Sequence, residues 1–223
     1  MPKQRKETPY KLKKSPRMRF YKFPKCFKRF YAGAVWDYFS SNEKIIYLTF
    51  DDGPNPASTE WILNLLNEHN AKATFFCLGK NVAQQPEIFS KIKSAGHSIG
   101  NHGMNHLSGY NTSLNDYVSD LKESQKIIES KLFRPAYGRI SPAQFRAVKN
   151  LGYKIIFWSW LTYDFDATLN SETRKNLILK NTKHGSIFVF HDSSKALPQL
   201  KNELPELMKE WIELGYRFEP IQE

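Results

Sequence analysis

Lys44-Ile45-Ile46-Tyr47-Leu48-Thr49-Phe50-Asp51-Asp52-Gly53-Pro54 is an apolar and β-branched run that meets two adjacent aspartates and then turns at Gly-Pro. Such a run reads as a parallel strand buried on both faces and carrying its acids at its C-terminal end. Two like charges side by side repel, so one of them needs a cation or a hydrogen-bond donor to stay ionised. The neutralising groups must come from elsewhere in the chain.

Working outward, helix and strand signals alternate. Residues 58–69 carry Ile62, Leu65 and Leu66 at helical spacing behind a cap at Ser58, and 73–79 form a second strand. A helix over 85–95 ends at Gly96, and 97–100 give a third strand. Ser113 to Asp116 read as a capping box that opens a long helix with Leu114, Tyr117, Val118, Leu121 and Ile128 inward. Residues 133–135, 154–160, 186–190 and 216–220 complete the strands, with helices over 142–151 and 172–182 and a last one starting at Leu204-Pro205. Repeated βα units imply a parallel sheet, and about seven of them predict an incomplete or distorted relative of the eight-unit barrel. An open doubly wound sheet is the alternative. In both, the chemistry gathers at the C-terminal ends of the strands.

With 223 residues and 40% hydrophobic content the chain can bury a sizeable core. Residues 1–30 hold twelve Lys or Arg and one Glu, a net +11, and the remainder balances at 21 basic against 21 acidic residues. The charge divides the chain into a basic N-terminal arm, 1–40, and a neutral domain, 41–223. The arm is expected to be solvated or loosely docked, with an anionic membrane surface as its candidate partner. A neutral domain argues against nucleic acid. No run approaches the roughly 20 apolar residues of a membrane-spanning helix, and no apolar segment of the export type follows the basic start. Cys26 and Cys77 lie in no metal-type spacing and read as reduced.

Several polar residues fall at the expected strand ends. His102 and His106 are four apart, which on a helical turn puts two imidazoles on one side; with an aspartate from the first strand they make a two-His, one-carboxylate face with open positions. Arg134 is a natural partner for the other aspartate through two parallel hydrogen bonds. Tyr137-Gly138 follows it in a turn that can present a backbone N–H. Asp164, beside Phe165, lies past the fifth strand, and His191 ends the sixth. Taken singly, each has an ordinary structural reading: a surface imidazole, a surface ion pair, a loop cap, core packing.

Together these residues resemble the polysaccharide deacetylase family, the NodB-homology domain of carbohydrate esterase family 4. Thr49-Phe50-Asp51-Asp52-Gly53-Pro54 matches the family's T-F-D-D-G-P, and His102 to His106 resembles H-[ST]-x-x-H. Arg134-Pro135-Ala136-Tyr137-Gly138 resembles R-P-P-Y-G; Asp164-Phe165 stands for D-W, and Val189-Phe190-His191 for L-x-H. The departures are Gly103 for Ser or Thr, Ala136 for Pro, Leu161 for an Asp, Phe165 for Trp and Val189 for Leu.

The resemblance implies a distorted (β/α)7 barrel of the polysaccharide deacetylase type. It also implies a metal-dependent hydrolase that removes N-acetyl groups from N-acetylglucosamine-containing glycans, peptidoglycan or chitin-like, and releases acetate. Asp52, His102 and His106 would hold one divalent ion, zinc first, with cobalt, nickel or manganese as alternatives. Asp51 would be the base, restrained by Arg134; the Tyr137 N–H would face the oxyanion; His191 would be the acid, with Asp164 behind it. Phe165, Val189, Pro135 and Tyr137 would shape the substrate pocket. The chain is expected to act as a monomer on an acetylated glycan, in the cytoplasm or at a membrane periphery, although that substrate suggests the cell envelope. A glycan-binding module without turnover, an O-acetyl esterase, an iron oxygenase and a nucleic-acid binder are the competing readings.

Overall fold

The computed structural model describes residues 19–39 and 43–223, so most of the basic arm lies outside it. A single turn, α1 (Lys25–Lys28), precedes β1 (Ile45–Asp51), α2 (Thr59–Glu68), β2 (Thr74–Cys77), α3 (Gly79–Gln84), α4 (Pro86–Ser94) and β3 (Ser98–Asn101). Then come α5 (Leu114–Gln125), β4 (Leu132–Phe133), α6 (Pro142–Asn150), β5 (Lys154–Ile155), β6 (Trp160–Leu161), α7 (Ser171–Lys180), β7 (Ser186–His191), α8 (Leu197–Glu213) and β8 (Arg217–Phe218). The strands form one sheet in the order β5-β4-β3-β2-β1-β7-β6, with β8 beside the start of β1, and every pairing is parallel. This is a curled, incomplete barrel of the distorted (β/α)7 kind, not an open doubly wound sheet.

Alternation along the strands decides what faces where. Ile46, Leu48 and Phe50 of β1, with Phe188 and Phe190 of β7, join the layer under the helices with Ile62, Leu66 and Trp211. The intervening residues face inward, where Phe76, Phe133, Ile187 and Val189 pack with Phe157 and Trp158. Asp51 shares the parity of Thr49 and so meets the interior at the end of its strand.

Several elements differ from the sequence reading, among them α5, which ends at Gln125 short of Ile128 and leaves Leu114 exposed where the spacing predicts it inward. The strand expected over 154–160 is two strands at opposite ends of the sheet, with the barrel's seam between them. Residues 19–39 lie across that seam. Val35 pairs in parallel with Ile156, Trp36 stacks on Phe157 with centroids 4.1 Å apart, and Leu161 N donates to Tyr21 O at 2.7 Å. Tyr31 and Trp36 are buried, so the solvated-arm expectation fails for this stretch: enough aromatic surface is covered to hold it in place despite its charge. The last helix starts at Leu197-Pro198 and runs through Pro205, because Leu200, Leu204, Leu207, Met208 and Trp211 make one buried stripe that outweighs a missing hydrogen bond. An unexpected short helix, α3, lies ahead of α4.

Candidate active site

A cavity of about 430 Å³ opens at the C-terminal ends of β1, β3, β4 and β7. Asp51, Asp52, His102, His106 and His191 line its floor, and Tyr137, Phe165 and Val189 stand on its walls. Pro135 does not line the cavity: it is buried, and its carbonyl accepts from Gly138 N, so it shapes the turn and not the pocket.

Asp52, His102 and His106 come together, but not on a helix. The stretch after β3 is a loop with Gly103 at φ 84° and His106 at φ 60°, and this bend aims both imidazoles at Asp52. Nε2 of His102 lies 3.6 Å and Nε2 of His106 3.2 Å from Asp52 Oδ1. Ligands at 2.0–2.2 Å from a common ion stand about 3.0–3.5 Å apart, so little adjustment is needed. Asp52 Oδ1 is buried and makes no hydrogen bond, an orphaned acceptor that a cation would satisfy. Nδ1 of His102 faces the Arg134 carbonyl at 2.7 Å; a carbonyl only accepts, so Nδ1 carries the proton and the Nε2 lone pair faces Asp52. Burial, reinforced by the neighbouring His106, lowers the His102 pKa to about 3, which keeps it a neutral ligand. Burial lowers that of His106 as well, against the pull of Asp52. This donor set fits a divalent ion.

The loop is clamped by a residue that sequence reading missed. Asp120, on α5, accepts from Met104 N at 2.8 Å, from Asn105 N at 3.1 Å and from Asn105 Nδ2 at 2.8 Å. A Cβ on Gly103 would lie 2.7 Å from Asp120 Oδ2, and its φ is left-handed, so glycine at this departure belongs to the loop's own geometry. Nothing in the local sequence marks Asp120, which acts from a helix 15 residues away.

Asp51 is held differently from its neighbour. Its Oδ1 accepts from Arg134 Nη1 at 2.7 Å, while Oδ2 points toward His102, 4.0 Å from Nε2. Arg134 is fully buried and makes one hydrogen bond to the carboxylate, not the expected parallel pair. Its other donors go to Thr49 Oγ1 and to the carbonyls of Ile156 and Phe157, and Phe76 lies beneath it at 4.0 Å. The guanidinium thus ties β1 to the seam as well as to Asp51.

Across the cavity, Asp164 accepts from His191 twice, at Nδ1 and at the backbone N, both at 2.7 Å. Burial alone would lower the His191 pKa, but the attraction and hydrogen bond of Asp164, with smaller pulls from Asp52 and Asp51, raise it to about 9. The Phe165 ring stands edge-on to the imidazole at 4.8 Å. Tyr137, at φ 58° with an exposed side chain, sets its ring 4.3 Å from that of His106. Ser58, expected to cap α2, instead donates to Asp192 Oδ1 at 2.6 Å beside Thr59, which donates to Oδ2. Ser113 does cap α5 by accepting from Asp116 N. Arg139, Trp158, Tyr163 and Lys195 also reach the cavity, and only its three-dimensional closure reveals them.

Residues 40–156 match the family described as polysaccharide deacetylase. A peptidoglycan-N-acetylglucosamine deacetylase of Bacillus cereus is 39% identical over 193 residues, covering 82% of this chain and 89% of that relative. A chitooligosaccharide deacetylase of Azorhizobium caulinodans is 33% identical over 160 residues, 69% of this chain and 76% of its own length. Among solved structures, the Bc1960 peptidoglycan N-acetylglucosamine deacetylase aligns with a TM-score of 0.81 at 30% identity, over 89% of this chain and 95% of that one. Fold, motif order and relatedness over most of the length agree: this chain belongs to the polysaccharide deacetylase family.

Proposed function

We propose that this chain hydrolyses the N-acetyl group of N-acetylglucosamine units in a glycan, peptidoglycan or a chitin-like oligomer, using one divalent ion, zinc first, held by Asp52, His102 and His106. The observation that carries the reading is one cavity lined by a carboxylate held by Arg134, Asp51, an imidazole held by Asp164, His191, and the His102–His106 pair facing Asp52. An ion bound there supplies an acidified water and a polarised acetyl carbonyl.

Asp51 Oδ2, free of the Arg134 contact, takes the proton of the attacking water. The carbonyl carbon becomes tetrahedral, and its oxygen is steadied by the Tyr137 backbone N–H, in a turn already bent to φ 58°. His191, protonated on both nitrogens, gives its Nε2 proton to the sugar nitrogen as the C–N bond breaks, and acetate and the free amine leave. Asp164 holds that imidazolium through Nδ1 and anchors the His191 backbone N–H with its other oxygen. Tyr137, Trp158, Tyr163 and Phe165 offer ring faces to the sugars.

Acetate release from N-acetylglucosamine oligomers, measured for the parent, Asp51→Asn and His191→Ala, tests this. The parent turns over and both variants fall by two orders of magnitude or more; a folded, metal-loaded parent inactive on every acetylated glycan would end the proposal. The same reading takes residues 19–39 and 43–223 as one catalytic unit acting as a monomer, with the basic stretch before it as an anchor to an anionic membrane face. No described helix is long and apolar enough to cross a membrane. Deleting residues 1–18 and fractionating cells checks the anchor, which requires membrane recovery to be lost.

A further inference from the structure

The charges on the cavity floor are matched: Asp51 by Arg134, Asp164 by His191, and Asp52 by the ion its triad would hold. Two cations on the rim are surplus. Arg139 and Lys195 both line the cavity, and neither forms an ion pair with a carboxylate among the described residues. Each leans on an aromatic ring instead, Arg139 on Tyr137 at 5.9 Å and Lys195 on Phe165 at 5.3 Å. Those rings are the ones that touch the site's imidazoles, Tyr137 at His106 and Phe165 at His191. One unspent cation therefore stands a single ring outward from the ion-holding side, and another a single ring outward from the acid side.

Resting on the deacetylase reading, we propose that Arg139 and Lys195 select a glycan whose sugars next to the reacting N-acetylglucosamine carry carboxylates, in preference to a neutral chitin-like chain. A neutral oligomer offers hydroxyls and amides, which the ring faces already serve, and gives a rim ammonium and guanidinium nothing to neutralise. A carboxylate one sugar away meets them at the cavity mouth, where a planar guanidinium also binds it with directional hydrogen bonds. An exposed ion pair is worth up to about fivefold in an equilibrium constant and weakens with salt, so two of them shift preference and not the chemistry.

The test uses the metal-loaded full chain and one alternating oligosaccharide of N-acetylglucosamine and N-acetylmuramic acid, with its lactyl carboxylates free or converted to amides. Acetate release gives kcat/KM for each form, and the ratio of free to amidated is the readout. The expected ratio in the parent is about five or more at 50 mM NaCl, falling toward one at 500 mM. Arg139→Gln and Lys195→Gln each lower it, the double variant brings it near one, and Arg139→Lys, which keeps the charge without the planar fork, falls between the parent and Arg139→Gln. Equal kcat/KM for both forms in the parent, or a ratio the double variant leaves unchanged, overturns the proposal while leaving the deacetylase reading standing. Absence of acetate from both forms and from neutral oligomers overturns both.

Discussion

Asp51 and Asp52 are chain neighbours with the same side chain, yet their surroundings suit them to the opposite tasks proposed for them. Strand parity turns Asp51 inward onto a fully buried guanidinium, and a left-handed backbone at φ 78° swings Asp52 toward two neutral imidazoles. Asp51→Asn should therefore lower kcat by about 10²–10⁴ while leaving zinc affinity, measured by calorimetry, within a few-fold; a comparable loss of zinc binding would show that the tasks are not divided. Arg134→Met leaves Asp51 buried without its cation and should cost roughly 3–5 kcal/mol of stability by urea unfolding. With His191 as the proposed acid, its titration sets the sign of the expected pH dependence. Its pKa is raised to about 9, so the proton donor is present below that value and lost as pH rises through it. Removing the Asp164 charge takes away the largest upward pull, so Asp164→Asn should move the alkaline limb of the kcat profile to lower pH, and an unmoved limb would assign that limb to another group.

At the scale of elements, the site is built by loops that the strands hold in place. The H-x-x-x-H spacing leads to a pair of imidazoles that do meet at Asp52, but a helical turn is what it predicts and a loop clamped by Asp120 does the aiming. Asp120→Ala should release that loop and weaken zinc binding by about 10–100-fold, the range seen when partners behind a ligand are lost, with His102 and His106 both present. The residues proposed to carry the chemistry were legible in the sequence because they sit at or just past strand ends, where parity and turn chemistry fix direction. Asp120, Trp158 and Lys195 were not, because they reach the cavity only through tertiary closure. The 154–160 run misled because apolar composition continues across a place where the chain changes sheet edge, and Leu204-Pro205 misled because an identical Leu-Pro stands earlier, at Leu197-Pro198, where the helix does begin.

Over the whole molecule, the sheet leaves a seam between β5 and β6, and the segment ahead of β1 lies across it. Charge suggested an appendage; the packing of Tyr31, Trp36 and Phe23 against Phe157 and Trp158 makes residues 19–39 part of the barrel. Trp36→Ala should then destabilise the entire domain by about 3–5 kcal/mol, as for other large aromatic truncations in cores, in a single unfolding transition. A wild-type midpoint would detach the segment from the barrel. The same closure gathers Asp52, His102 and His106 from two loops onto one floor, and the proposed hydrolysis depends on that gathering. The most direct test is acetate release from N-acetylglucosamine oligomers by the zinc-loaded chain, by the chain stripped with chelator, and by the stripped chain given zinc again. Activity should disappear on stripping and return with zinc in the parent but not in His106→Ala; equal rates before and after stripping would contradict a metal held by this triad.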